Sequence, residues 1–202
     1  ERSLDLNFGE KNLLVTFHPV TLEGGASSVA QMRELLVALE SLGNTTFIFT
    51  MPNADTGGRE LDILVRQFLE KHPCAKVYAS LCQLRYLSCL AQVDGVVGNS
   101  SSGILEAPSF KIGTVNIGDR QKGKLKADSV IDSEPKNGSI VAALKTLYST
   151  NFQVNLTTVI NSYDNGGSIE TIVKLLAEYT LENICKKQFY NLQLIDLAKA
   201  VE

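Results

Sequence analysis

The chain has 202 residues, 44% hydrophobic and 20% charged, with a formal net charge of −3. That is long enough to bury a core without disulfides or metals, and the composition excludes disordered and fibrous classes. The mildly acidic balance argues against general nucleic-acid binding, and no apolar run reaches the roughly 18 residues that cross a bilayer, so neither nucleic acid nor membrane is an expected partner. The chain begins with Glu1 rather than Met. We expect either a trimmed front or one piece of a longer polypeptide.

The elements follow in chain order. Asn12 to Phe17 (NLLVTF) is a short apolar run of β-formers stopped at His18-Pro19, which predicts a buried strand. Val29, Met32, Leu35, Leu36 and Leu39 recur at helical spacing between Ser27 and Leu42, with Gly43 as the C-cap. A second strand, Thr45 to Met51, ends at Pro52, and a second helix runs from Gly58 to Lys71. Ala75 to Ala79 is a third strand. Ser80 with Gln83 three residues on predicts a capping box, opening a helix that carries Leu84, Leu87, Cys89 and Leu90. Asp94 to Gly98 is a fourth strand, followed by a short helix from about Ser102, and Gly113 to Ile117 is a fifth. Val130-Ile131 adds a short edge piece. Helices are expected at Ile140–Tyr148, Ser168–Tyr179 and Glu182–Val201.

Buried-type strands alternating with helices predict an α/β fold, a doubly wound parallel sheet covered on both faces. The alternation makes residues 1–180 one Rossmann-like domain and 181–202 a helical extension. Cys74, Cys82, Cys89 and Cys185 show no C-x-x-C spacing and no zinc-like interval with histidine, so no metal and no cofactor is expected. Cys82 and Cys89, seven apart, read as buried reduced thiols on one helix face, which points to the cytoplasm.

In such a fold the carboxyl ends of the strands share one edge, and ligands bind outside it. Small, polar and cationic residues collect there: His18-Pro19-Val20-Thr21, the segment 52–59 with Asn53, Asp55 and Arg59, Ser80, Gly98 to Gly103, and Gly118 to Lys122. The stretch Gly98-Asn99-Ser100-Ser101-Ser102-Gly103 reads either as a plain N-cap or as a cradle whose N–H and hydroxyl groups hold a phosphate or diphosphate. It is neither a P-loop nor a G-x-G-x-x-G turn. Glu106, one turn beyond Ser102, suits a ligand with paired hydroxyls such as a ribose, or else offsets the helix dipole. His18 can bind phosphate or move a proton near neutral pH, or be a turn histidine. The run Arg120, Lys122, Lys124 and Lys126 reads as a loop closing on a diphosphate or as a solvated surface, with Arg120 nearest the strand end.

The segments HPVT (18–21), PNADTGGR (52–59), GNSSSGILEAPSF (98–110), NIGDRQKGKLKADSVI (116–131) and DNGGS (164–168) together resemble the hydrolysing UDP-N-acetylglucosamine 2-epimerases, in particular their sialic-acid-type branch. The resemblance runs from about Asn12 to Asn191 and covers only the C-terminal half of that family's GT-B fold. It implies UDP or a UDP-N-acetylhexosamine as ligand, held by Ser101, Ser102 and Gly103 at the diphosphate; from the residues themselves, Ser100 adds a hydroxyl donor to that turn and Asn53 is expected to shape the neighbouring wall of the site. It implies Glu106 at the ribose hydroxyls, Arg120 in the loop that completes the site, and His18 near the phosphates as a catalytic residue. The family reaction eliminates UDP across C1–C2 and adds water to give N-acetylmannosamine, with acid/base carboxylates drawn largely from an N-terminal domain. That domain is an expected partner, as is a second copy through Leu181, Ile184, Phe189, Leu192 and Ile195. The rival readings are a nucleotide-sugar domain of a GT-B glycosyltransferase and a non-catalytic nucleotide-sugar-binding module.

Overall fold

The computed structural model describes residues 4–20, 25–51, 58–164, 166–182 and 184–186. Six strands, β1 (Lys11–Thr16), β2 (Thr45–Thr50), β3 (Ala75–Tyr78), β4 (Gly95–Gly98), β5 (Gly113–Ile117) and β6 (Val130–Ser133), form one sheet in the order β3-β2-β1-β4-β5-β6. Every pairing is parallel. The helices are α1 (Gly25–Glu40), α2 (Gly58–Lys71), α3 (Cys82–Leu90), α4 (Ser102–Leu105), α5 (Asn137–Leu147), α6 (Thr150–Leu156) and α7 (Ser168–Glu178), with a 3-10 turn at Ala107–Phe110.

Central strands that are apolar on both sides need cover on both faces. From β1, Leu13 and Val15 face a core shared with Leu35 and Leu39 of α1, Leu61, Val65 and Phe68 of α2 and Leu144 of α5. Leu14, between them, points the other way, into a second core with Ile48, Val96, Leu81, Cys89 and Leu90. The Phe68 ring meets Phe47 and Phe49 edge-on, each at 5.6 Å between centroids. Full burial of one such side chain stabilises the fold by about 1.5–3 kcal/mol. Across the sheet face, Glu34 of α1 accepts the Asn137 N–H at 2.6 Å and so caps the first turn of α5.

The strand order fixes where a ligand can sit. Winding runs outward from β1 through β2 to β3 on one side and from β4 through β5 to β6 on the other, so it reverses between β1 and β4. Outside their carboxyl ends lies the crevice of a doubly wound sheet. Thr16 is in register with both Thr50 and Gly98. The segments after β1, β2 and β4 therefore leave the sheet side by side.

Four expectations need correction. The sheet has six strands rather than five, because Val130-Ile131 extends to Ser133 as a full parallel edge strand on β5. Helix α6 was not expected; the Ser149 Oγ accepts the Phe152 N–H at 3.4 Å and starts it. The Ser80/Gln83 capping box does not form: α3 starts at Cys82 with Leu81 as its N-cap and no side-chain cap bond, and the Ser80 Oγ instead accepts the Cys82 N–H at 3.1 Å. Cys82 is exposed at φ +52°, so of the two cysteines read as buried only Cys89 is.

The chain divides into two compact units, residues 1–164 and residues 165–202. In the second, α7 follows Gly167 at φ +67° and carries an exposed apolar stripe of Ile169, Ile172, Val173 and Leu176. Of the helix expected at 182–201, residues 182 and 184–186 are turn and bend, and the rest lie outside the described residues, as do Phe189, Leu192 and Ile195. Among the described residues no helix is long and apolar enough to cross a membrane.

Candidate functional site

The chain leaves β4 through Gly98, whose φ is +137° and where a Cβ would stand 2.0 Å from the Thr16 carbonyl oxygen. Only glycine lets the end of β4 press this closely on the end of β1. The next residue, Asn99, is wholly buried. Its Oδ1 accepts the His18 backbone N–H at 2.7 Å, and its Nδ2 donates to the His18 carbonyl at 2.8 Å. Its own carbonyl accepts from Arg120 Nη1 at 3.0 Å and from Gln121 Nε2 at 2.8 Å. One side chain and one peptide group thus join the segments that follow β1, β4 and β5.

The serine turn comes next. The Ser100 Oγ accepts the Ser102 N–H at 3.3 Å. Helix α4 is a single turn, so its dipole is small and the anion-binding capacity of Ser100–Gly103 rests on the turn's own N–H and hydroxyl groups. Gly103 lies against β5: a Cβ there would be 2.4 Å from Thr114 Cγ2, and the Thr114 Oγ1 donates to the Gly103 carbonyl at 2.8 Å.

A cleft of about 440 Å³ opens at this edge, lined among others by Thr16, His18, Thr50, Tyr86 and Glu106. That is a volume in which a small ligand fits. His18 is buried, and Ser102 is only 9% exposed. Three buried polar atoms lie beside the cleft, Ser102 Oγ, Glu106 Oε2 and the Tyr86 hydroxyl; the Tyr86 hydroxyl interacts with Ser102, and Glu106 Oε2 has no hydrogen-bond partner among the described residues. Burial pushes the Tyr86 phenol above the usual tyrosine value; hydrogen bonding with the Ser102 side chain opposes this, the Glu106 charge adds to it, and hydrogen bonding with Thr16 opposes it to a smaller extent. Tyr86 therefore stays an O–H donor at neutral pH. A smaller hollow of about 280 Å³ between α1 and α2, lined among others by Arg33, Leu36, Leu64 and Phe68, holds none of these groups.

The structure brings His18, Ser100, Ser101, Ser102, Gly103 and Glu106 to one edge and ties Arg120 to it through Asn99. Asn53, with Asp55, lies outside the described residues. In the basic run, Lys126 is bonded to both oxygens of Asp132 at 2.7 Å, and Lys122 lies 3.7 Å from Asp119. The second histidine is occupied structurally: His72 Nδ1 is 2.8 Å from the Phe68 carbonyl and its ring stacks on Phe68 at 3.9 Å. Sequence reasoning missed Asn99 as a clamp and Tyr86 as a cleft residue. The available signals were an amide one residue past a central strand and an aromatic in the helix after β3, whose carboxyl end opens on the same edge.

Comparison with known proteins gives concordant results. The family model described as UDP-N-acetylglucosamine 2-epimerase matches residues 2–177. The chain is 36% identical over 194 residues to the GDP/UDP-N,N'-diacetylbacillosamine 2-epimerase (hydrolyzing) of Campylobacter jejuni, covering 95% of this chain and 50% of that protein. It is 32% identical over 197 residues to the polysialic acid biosynthesis protein P7 of Escherichia coli, again 95% and 50%. A Staphylococcus aureus MnaA structure solved with UDP superposes with a TM-score of 0.65 at 15% identity, covering 91% of this chain and 49% of that one. The chain spans about half the length of the curated relatives it matches, and its sheet is a Rossmann-like half of a GT-B fold. With the family model matching most of its length and two relatives aligned over 95% of it, the chain belongs to the UDP-N-acetylglucosamine 2-epimerase family.

Proposed function

We propose that this chain is the UDP-holding half of a hydrolysing UDP-N-acetylglucosamine 2-epimerase. The observation that carries this reading is the buried, unpartnered Glu106 Oε2, with the buried Ser102 hydroxyl and His18 beside the same cleft at the switch point of the sheet. A buried polar atom without a partner costs about 1–3 kcal/mol, which a ligand that bonds to it relieves. Ser100 to Gly103 and Arg120 take the diphosphate and Glu106 takes the ribose hydroxyls; Asn53 is assigned to ligand binding from the sequence alone. The solved relatives bound to UDP and to UDP-GlcNAc support the choice of ligand.

The chemistry follows from what this half offers. Elimination across C1–C2 of the sugar breaks the C1–O bond and leaves negative charge on the departing diphosphate. His18, Arg120 and the serine turn stabilise that charge where it develops. Asn99 holds His18 in place for this role. Removal of the C2 proton and addition of water fall to carboxylates of the other half. The contacts that choose between UDP-N-acetylglucosamine and a diacetamido relative belong there too. The chain alone accordingly binds UDP without turnover. Self-association through the exposed apolar residues Leu181 and Ile184 belongs to the same proposal, and light scattering checks it.

Calorimetric titration with UDP tests the binding claim. Joining the N-terminal half of the Campylobacter jejuni relative ahead of this chain tests the catalytic one. The expected results are UDP binding by the chain and, in the joined protein, release of free UDP without any sugar acceptor. No binding at millimolar UDP refutes the reading.

A further inference from the structure

Two neighbouring side chains end on one acceptor. The Asn99 carbonyl takes hydrogen bonds from Arg120 Nη1 at 3.0 Å and from Gln121 Nε2 at 2.8 Å, which fill both its lone pairs. The donors differ in their surroundings. Arg120 is exposed, whereas Gln121 is 1% exposed and Asn99 is wholly buried. Gln121 also keeps a buried Oε1 with no hydrogen-bond partner among the described residues. An open buried acceptor is a standing cost, and an apolar side chain of the same length would not carry it. What the amide offers in return is the donor at its other end.

We propose that Gln121 is a positioning residue that lets Arg120 transfer from the protein to an anionic ligand, by keeping the Asn99 carbonyl bonded once Arg120 has left it. The inference rests on the reading of this edge as the UDP site and names the residue that makes Arg120 available to the diphosphate.

The argument is a count of bonds before and after binding. In the free protein the carbonyl holds two donors, and one is enough to satisfy it. Arg120 can therefore turn to a phosphate oxygen without leaving a buried oxygen bare. The pairing it gains is charge-assisted and stronger than the one it gives up. Without the Gln121 amide, Arg120 would be the only donor, and its departure would orphan the carbonyl at the expense of ligand affinity. The backbone around Gln121 is itself held. The Gly118 N–H donates to the Ser133 carbonyl at 2.9 Å, and the Lys122 N–H donates to the Asp119 carbonyl at 2.9 Å. The move is thus one of the arginine side chain, with the glutamine as its fixed neighbour.

The same count separates positioning from a structural role. Gln121→Met keeps the length, deletes the donor and deletes the open Oε1. The lost bond and the relieved cost oppose each other, so the free protein unfolds at about the parental urea concentration. A glutamine that only packs would lose nothing in binding. One that only steadies the loop would lose the same affinity whether or not Arg120 is present.

The test is a double-mutant cycle of the wild-type chain, Gln121→Met, Arg120→Met and the double variant, titrated calorimetrically with UDP. Gln121→Met is expected to weaken UDP binding by about tenfold in the wild-type background and by less than about twofold in the Arg120→Met background. Equal weakening in both backgrounds, or none in either, overturns the inference and leaves the site reading standing. UDP binding that is undiminished in Arg120→Met overturns the inference together with the diphosphate role of Arg120. Failure of the wild-type chain to bind UDP overturns the site reading as well. Should Gln121→Met not fold, the side-chain N–H resonances of the wild-type chain decide. On addition of UDP the Arg120 guanidinium signals should shift while the Gln121 amide protons stay protected from exchange. Unchanged Arg120 signals, or loss of protection at Gln121, overturns the inference.

Discussion

Asn99→Ala is the substitution whose consequences the structure defines most closely. The side chain makes two hydrogen bonds, both to the backbone of His18, at 2.7 and 2.8 Å. Alanine removes both and leaves a buried N–H and a buried C=O without partners. Each such group costs about 1–3 kcal/mol, so the expected loss is about 2–4 kcal/mol, allowing one of them to be reached by water. A domain with ordinary stability of about 5–15 kcal/mol survives this. The bonds from Arg120 and Gln121 end on the Asn99 carbonyl, which alanine keeps, so the loop after β5 stays where it is. The damage is therefore confined to His18. Urea unfolding followed by circular dichroism measures the loss, and the His18 ring resonances report the lost constraint. A loss below about 1 kcal/mol with unchanged His18 resonances would refute the clamp.

Three further outcomes follow from the same geometry. Gly98→Ala places a Cβ 2.0 Å from the Thr16 carbonyl oxygen at φ +137°, and the expected cost exceeds about 4 kcal/mol, read as loss of soluble folded protein. Ser102→Ala deletes a buried hydroxyl beside the cleft, so UDP should bind about three- to tenfold more weakly on calorimetric titration, and unchanged affinity would contradict its role. Burial, aided by Asp94, holds the Tyr148 phenol well above the ordinary tyrosine value. Above about pH 10 the folded state then retains a proton that the unfolded state releases, so stability falls as pH rises through that window. Tyr148→Phe should lose less stability than the parent between pH 9 and pH 11; equal losses would contradict the assignment.

Much of this fold is legible in the residues because parallel strands buried on both faces must be apolar runs. NLLVTF and TTFIFT can be little else, and the glycines and prolines that follow mark their ends. Edge strand β6 is harder to read: VIDS is half polar because one side of it is unpaired, so only its first two residues look like strand. Helix α6 (TNFQVNL) has no charged face to contrast with an apolar one, and its position depends on the Ser149 cap and on Phe152 packing over Gly113. Cys82 looks buried by helical spacing, but it opens α3 with a positive φ, and the period does not extend back to it.

The candidate site divides in the same way. His18, Ser102 and Glu106 are accessible to reasoning because the strand-end rule needs only the order of elements. Asn99 is not, since its partner His18 is 81 residues away in sequence, and only the register of β1 against β4 brings them together. Tyr86 reads as one more aromatic on a helix. Its place at the cleft, with the hydroxyl interacting with Ser102 and near the Glu106 charge, is visible only in the fold.

The central claim is that UDP occupies the crevice between the carboxyl ends of β1 and β4. Backbone amide chemical shifts recorded while UDP is added to the chain test it most directly. The expected result is a set of saturable shifts at His18, Tyr86, Asn99 to Glu106 and Arg120, with the α1–α2 surface unchanged. Saturable shifts confined to another surface, or none at millimolar UDP, would contradict it.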